Sequence, residues 1–328
     1  MSAIGGFLPL EVPRRPAAPP AGSGPYHARG VALASGRACW HAALRACRPR
    51  RALVPFYICD AVLQPLIATG TPFDFYALDA AFRPAADAQP AAGELMLVVN
   101  YFGVQTPLVA AAVERHADRV VVDDTQAFFR RGSADVWSFN SARKFFGVPD
   151  GGFLYGPAAG DLGDLPPSDV DDCDHLLARL SGDDGLAWDR FKQHEARIGI
   201  ELRAMSSTST RLLDAVDMAE ARRRRQENFE ALHRRLRAVN TIALPLDAAA
   251  SEGPMCYPFL PAADVDRSAL TRLGVYVPTF WPEVLTRAGG GFDWERTAAH
   301  RLLPLPIDHR YGAQEMDTLA RTVLQVLR

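Results

Sequence analysis

Over the first half of the chain the apolar positions switch repeatedly between a helical and an extended rhythm. Trp40, Ala43, Leu44 and Cys47 fall at i, i+3, i+4 and i+7, one buried helix face, with Ser35 placed to cap its start. Short, nearly continuous apolar runs at 52–55, 73–78, 95–100, 119–123, 136–140 and 152–155 have the length of buried strands. Helical patterns at 60–69, which Pro65 weakens, and at 107–116 separate them. This alternation predicts an α/β fold, a mostly parallel central sheet with helices on both faces. Between 176 and 237 strand signals are scarce and helix formers dominate, with breaks near 182–185 and 206–209, so two or three longer helices are expected. Short strands return at 242–245, 255–260, 275–277 and 302–306, and a helix at 313–327 closes the pattern. The expected organisation is an N-terminal arm (1–24, Pro/Ala/Gly-rich from 12), an α/β domain (25–175), a helical connection (176–239) and a smaller α+β domain (240–328).

Two runs of charge read as solvated structure. Four successive arginines at 222–225 cannot share one helix face, so they are expected to wrap an exposed helix rather than bind nucleic acid. Asp169, Asp171, Asp172 and Asp174 suit the loop before a helix, where carboxylates meet the positive end of the dipole. They lack the glycine and closing glutamate of a calcium-binding loop.

In open α/β sheets, ligands bind beyond the carboxyl ends of the strands. Two such ends carry chemistry here: 120–129 (VVVDDTQAFF), which reaches Asp123 and then Gln126, and 137–156 (WSFNSARKFFGVPDGGFLYG), which presents Lys144 before a glycine-rich turn. An acid, an amide and an amine converging on one crevice are the parts that a pyridoxal phosphate site needs. The lysine forms an imine with the cofactor aldehyde, a carboxylate keeps the ring nitrogen protonated, and an amide hydrogen-bonds near the phenolic oxygen. A helix start with a hydroxyl holds the phosphate, and Ser35, Gly36, Arg37 and Ser141 offer both.

With these residues in place, the chain resembles the DegT/DnrJ/EryC1/StrS family of pyridoxal-phosphate-dependent sugar aminotransferases, as a divergent member. The likeness runs through 4–11 (IGGFLPLE), 35–44 (SGRACWHAAL), 54–62 (VPFYICDAV), 99–105 (VNYFGVQ), 123–126 (DDTQ), the lysine segment and 302–319 (LLPLPIDHRYGAQEMDTL). It implies the fold-type-I architecture and transfer of an amino group from an amino acid, glutamate in the first place, to a keto sugar carried on a nucleotide. It further implies that Lys144 is the Schiff-base lysine, Asp123 the partner of the ring nitrogen, Gln126 a cofactor contact, and Gly36 with Arg37 the phosphate-loop pair. Tyr57 or Phe56 is the nearest aromatic for stacking on the ring, about two residues out of register. A homodimer is implied, and relatives often serve polysaccharide biosynthesis.

The chain departs from the family pattern in two places. One extra residue separates Ser138-Phe139 from Lys144, so Ser141 is the expected phosphate ligand, with Ser138 a second donor. At 199–204 (GIELRA), Glu201 stands where the family has an asparagine that reaches the neighbouring subunit's phosphate. These departures keep open two alternatives: a pyridoxal phosphate enzyme of another reaction type, or a cofactor-binding relative without turnover.

Composition changes the picture only at the lysines. A net charge of −2 gives no basic footprint for nucleic acid, and no apolar run approaches a membrane span. Five cysteines without CxxC spacing read as reduced thiols in a cytoplasmic protein, with Cys39 and Cys59 in packing roles; no zinc site or other metal is expected. Of 36 cationic side chains only Lys144 and Lys192 are lysines. Arginine supplies charge equally well but cannot form an imine. Lys192 reads as a solvated helix residue, Asp124 as a turn acid, His41 and His116 as structural, and Trp281 as either core or substrate-facing.

Overall fold

The computed structural model describes residues 3–12, 25–246 and 252–327, so most of the proline-rich stretch of the expected arm lies outside the described residues. A short first strand, β1 (Ile4–Gly5), stands apart from the central sheet. That sheet comprises β2 (Val31–Leu33), β3 (Arg51–Pro55), β4 (Phe73–Tyr76), β5 (Glu94–Val99), β6 (Val120–Asp123), β7 (Ser138–Phe139) and β8 (Gly152–Tyr155). Their order is β2-β8-β7-β6-β5-β3-β4. The five strands from β7 to β4 are parallel, and β8 runs antiparallel to both of its neighbours. Leu95 to Val99 and all of β6 are buried, as continuous apolar runs require of a sheet covered on both faces.

Helix α1 (Gly36–Cys47) starts as its sequence dictates: the Ser35 hydroxyl accepts from the Ala38 N–H at 3.0 Å. Trp40 lays the helix on the sheet by stacking on Phe139, with ring centroids 6.1 Å apart. Pro65 does not interrupt α2 (Leu63–Ala68), because it sits in the first turn, where an N–H has no intrahelical partner. Helix α3 (Thr106–His116) packs on β5 and β6.

The middle region forms four helices rather than two or three: α4 (Asp174–Ser181), α5 (Asp184–Arg197), α6 (Ser207–Asp214) and α7 (Met218–Leu236). Gly182 at φ 85° ends α4, and the Ser206 hydroxyl caps α6, so each expected break became a terminus. The arginine run on α7 is not uniformly solvated. Arg223 pairs with Glu220 and Glu227 at the surface, but Arg225 is 1% exposed. Its guanidinium donates to the carbonyls of Pro254 (3.3 Å), Met255 (3.2 Å) and Phe145 (3.1 Å) and lies 4.4 Å over the Phe145 ring. One of four consecutive helix positions must face the core, and here it is an arginine whose fork matches three backbone acceptors.

The last part contains β9 (Cys256–Phe259), α8 (Arg267–Arg272), β10 (Val275–Tyr276), α9 (Asp293–Arg301), β11 (Leu303–Pro306) and α10 (Ala313–Val326). β9 and β11 pair antiparallel, and β10 pairs in parallel with β1. The strand expected at 242–245 does not form. The Asn240 carbonyl oxygen takes the N–H groups of both Leu260 (2.9 Å) and Ile242 (3.2 Å), so a side chain replaces the ladder there.

Candidate functional site

The site lies where the sheet topology directs it, beyond the carboxyl ends of β3, β5, β6 and β7. Asp123 ends β6 as a buried carboxylate, and its Oδ1 accepts from the Thr125 N–H at 2.8 Å in a two-residue side-chain turn. Burial raises its pKa above the usual carboxylate range; the nearby Lys144 cation and the Thr125 hydroxyl oppose that shift. Lys144, in the short helical turn after β7, donates its Nζ to Thr125 Oγ1 at 3.0 Å and is otherwise open to solvent. Thr125 thus links the acid to the amine.

The N-terminus of α1 closes the other side. A Cβ on Gly36 would lie 3.3 Å from the Asn140 carbonyl, 3.3 Å from the Thr125 methyl and 3.8 Å from Ser141 Cβ. This brings the free N–H groups of α1, Thr125 and Ser141 around one small volume, a cradle of the kind that holds a phosphate. Arg37 reaches back to the Ile198 carbonyl, and burial lowers its pKa against the opposing pull of Glu195. Glu195 itself pairs with Arg143, next to the lysine.

Gln126 is buried, and its Oε1 accepts from the Phe102 N–H at 2.5 Å. That bond holds Phe102 in a left-handed conformation, φ 60°, at the turn after β5, a local cost typical of binding sites. Nε2 is the part of Gln126 left for a ligand. Asp124 faces elsewhere, paired with Arg130 at 2.5 Å and accepting from Asn100 Nδ2 at 3.1 Å.

Three of the expected residues are not brought to this place. Tyr57 is fully buried, edge-on to Trp281 at 4.6 Å, with a hydroxyl that finds no partner. Phe56 stacks on Phe292 at 3.9 Å. Ser138 points toward Gly132 and Tyr155, opposite in the strand alternation to Phe139, which faces α1. The side chain after β3 that does approach is Cys59: burial raises its pKa, and Lys144 and Asp123 are the charges it feels most. Thr125 escaped sequence reasoning, which gave Cys59 only a packing role. The side-chain turn that follows Asp123 was the available signal for Thr125; nothing local distinguished Cys59 from a packing thiol. Glu201 curls back over Gly199, whose carbonyl takes the Ser35 hydroxyl at 3.3 Å.

No family model matches the sequence, and no curated protein matches it. Solved structures do. A sugar aminotransferase Spr1654 from Streptococcus pneumoniae in its PLP form aligns over 99% of this chain and 98% of its own, with a TM-score of 0.64 and 13% identity. CalS13, a sugar aminotransferase from Micromonospora echinospora, aligns over 90% and 87%, with a TM-score of 0.63 and 18% identity. A DegT DnrJ EryC1 StrS aminotransferase from Brucella abortus aligns over 90% and 85%, with a TM-score of 0.62 and 15% identity. The chain has the fold of these aminotransferases. The α/β architecture expected from the sequence, with its mostly parallel sheet, is therefore the fold-type-I arrangement.

Proposed function

We propose that the chain is a pyridoxal-phosphate-dependent aminotransferase that moves an amino group from an amino acid, glutamate in the first place, to a keto sugar carried on a nucleotide. The observation that carries this reading is the Asp123–Thr125–Lys144 link set against the α1 N-terminus. When bound, the cofactor supplies an aldehyde that condenses with amines and a ring that accepts the electron pair of a broken C–H bond. The N–H groups of Gly36 and Arg37 and the Ser141 hydroxyl hold its phosphate. The buried Asp123 carboxylate would pair with the ring nitrogen and stabilise a proton there. Gln126 Nε2 donates toward the phenolic oxygen. The Lys144 amine would hold the cofactor covalently and, as a free amine, would take a proton at Nζ from the donor's α-carbon. Thr125 fixes where Nζ waits. Of the side chains after β3, Cys59 rather than Tyr57 would border the cofactor, since it is the one that feels Lys144 and Asp123.

A homodimer goes with this reading. Its support is the half-exposed apolar side chains Leu177 and Leu180 on α4 and Leu186 and Trp188 on α5. Among the described residues no helix is long and apolar enough to cross a membrane. A cytoplasmic location and a place in polysaccharide biosynthesis belong to the same proposal.

The test is chemical. The full chain is incubated with pyridoxal phosphate, reduced with borohydride and digested; the pyridoxyl mass is expected on the peptide containing Lys144 and absent in Lys144→Ala. Labelling confined to Lys192, or none, overturns the reading. Glutamate should then convert the cofactor absorbance, and keto-sugar nucleotides should restore it. Labelling of Lys144 with no spectral response to any amino donor would instead favour the cofactor-binding relative without turnover. The Glu201 carboxylate beside the α1 start is the feature that argues for this second reading.

A further inference from the structure

On the far side of the lysine-bearing turn, three side chains distant in sequence converge. Asp172 stands in the loop before α4, His175 in the first turn of α4 and His194 in the last turn of α5. One ligand atom from each lies within 4.8 Å of the others, and the two imidazole rings are 4.1 Å apart. Both histidines are 2% exposed.

One hydrogen bond determines which ring atom of His194 carries the lone pair. His194 Nε2 lies 2.6 Å from the Pro149 carbonyl, which can only accept, so Nε2 holds the proton and Nδ1 a lone pair. That Nδ1 is buried without a hydrogen bond, and so is Nδ1 of His175. Asp172 Oδ1 stands 3.6 Å from His194 Nδ1, too far for a hydrogen bond, while its Oδ2 is occupied by Arg197. The His194 lone pair, the buried Nδ1 of His175 and a carboxylate oxygen therefore lie together with no hydrogen bond joining them. Burial of such acceptors is costly unless something positive joins them.

We propose that Asp172, His175 and His194 form a site for one divalent transition-metal ion of the zinc class. Two imidazoles and one carboxylate are ligands of that class, and a tetrahedral ion with bonds of about 2.0–2.1 Å sets its donors about 3.4 Å apart, close to the Asp172–His194 spacing. A fourth position is left for water. The Pro149 carbonyl orients His194 from behind, as outer partners of metal-bound histidines do. Both histidines are held neutral by burial, His175 down to about 4, against the attraction of Asp172 and Glu195; Arg143 pushes the same way as burial. Two cations border the site: Arg197, which pairs with Asp172 Oδ2, and Arg143, which is neutralised by its pair with Glu195. The ion's role is structural: it clips the Asp172 loop to α4 and α5 and, through Pro149, to the turn that carries Lys144.

Tag-free full-length chain is dialysed against chelator and titrated with Zn2+ in a calorimeter, with Co2+ as an optical probe. One ion per chain is expected, with visible Co2+ bands of tetrahedral nitrogen and oxygen ligation. At free Zn2+ of 100 times Kd, Tm should rise by about 4 °C. His175→Gln and Asp172→Asn should each weaken binding about 100-fold or more. Asp172 is partly exposed, so its variant serves if the buried one fails to fold. Absence of saturable binding, or equal binding by wild type and Asp172→Asn, overturns the proposal. None of these readouts depends on cofactor or turnover, so the result stands apart from the proposed aminotransferase activity.

Discussion

Replacement of Arg225 separates a solvated helix arginine from a buried tie between α7 and the site. In Arg225→Ala three buried carbonyls, of Phe145, Pro254 and Met255, lose their donor, at about 1 kcal/mol or more each. The stacking on Phe145 adds about 1–2 kcal/mol. Against this, the variant is relieved of a buried cation. Burial pulls that cation's pKa down to about 10, which corresponds to about 3 kcal/mol in the opposite direction. The net expected loss is about 2–4 kcal/mol once the cavity is included. For 328 residues an unfolding entropy of about 0.7 kcal/mol/K converts this to a Tm lowered by about 3–6 °C. Arg225→Met, which keeps volume and sheds the charge, should lose less than Arg225→Ala. The assay is urea denaturation with thermal melts of all three chains. Because Phe145 follows Lys144 directly, cofactor capture by the alanine variant should weaken as well. A surface arginine would move stability by no more than about 0.5 kcal/mol. Midpoints within that range for both variants would refute the reasoning.

Asp123→Asn should retain cofactor capture by Lys144 and lose turnover on the order of 100-fold or more, measured as the glutamate half-reaction; it should be no less stable than wild type, since burial already disfavours the carboxylate. His27 is buried against Tyr155 (2.6 Å), and its pKa is depressed from 6.5 to about 3. Between those values the unfolded chain binds the proton and the folded chain refuses it, so the stability contributed by neutral His27 is full above pH 6.5 and falls as pH drops toward 3. The difference in urea midpoint between wild type and His27→Gln should shrink steadily from pH 7 to pH 4.5; a constant difference would count against this. Gly147→Ala would drive a Cβ into the Pro9 carbonyl, where Glu11 N–H also bonds the Gly147 carbonyl at 2.9 Å. A loss of about 1–3 kcal/mol is expected, with faster proteolysis around Pro9.

Much of the sheet was legible because its strands are buried on both faces: 152–155 and 95–100 announce themselves as apolar runs flanked by turn residues. β1 and β2 were not, since two or three residues held by pairing with distant partners leave no periodic trace. Asn240 shows the converse failure, a strand-like apolar run whose ladder position is taken by a side chain. At the site, Asp123 and Lys144 could be paired in advance because their chemistry is specific. Tyr57 could not be placed, because a shift of two residues after β3 decides whether a side chain enters the crevice or the core, and only packing against Trp281 fixes it. Arg225 and the pairing of His175 with His194 are tertiary facts: nothing within a helical turn of either reveals the partner.

The pairing of β1 with β10 sets an order of events during biosynthesis. Ile4 bonds opposite Val275, and the segment after it crosses Gly147 and meets Leu176, so this segment waits for partners made much later. At about 5–20 residues per second, a ribosome needs about 14 to 54 s to travel from one partner to the other. For that interval the Gly147 carbonyl, three residues after Lys144, can already hold the Glu11 N–H while β1 still lacks the strand it pairs with.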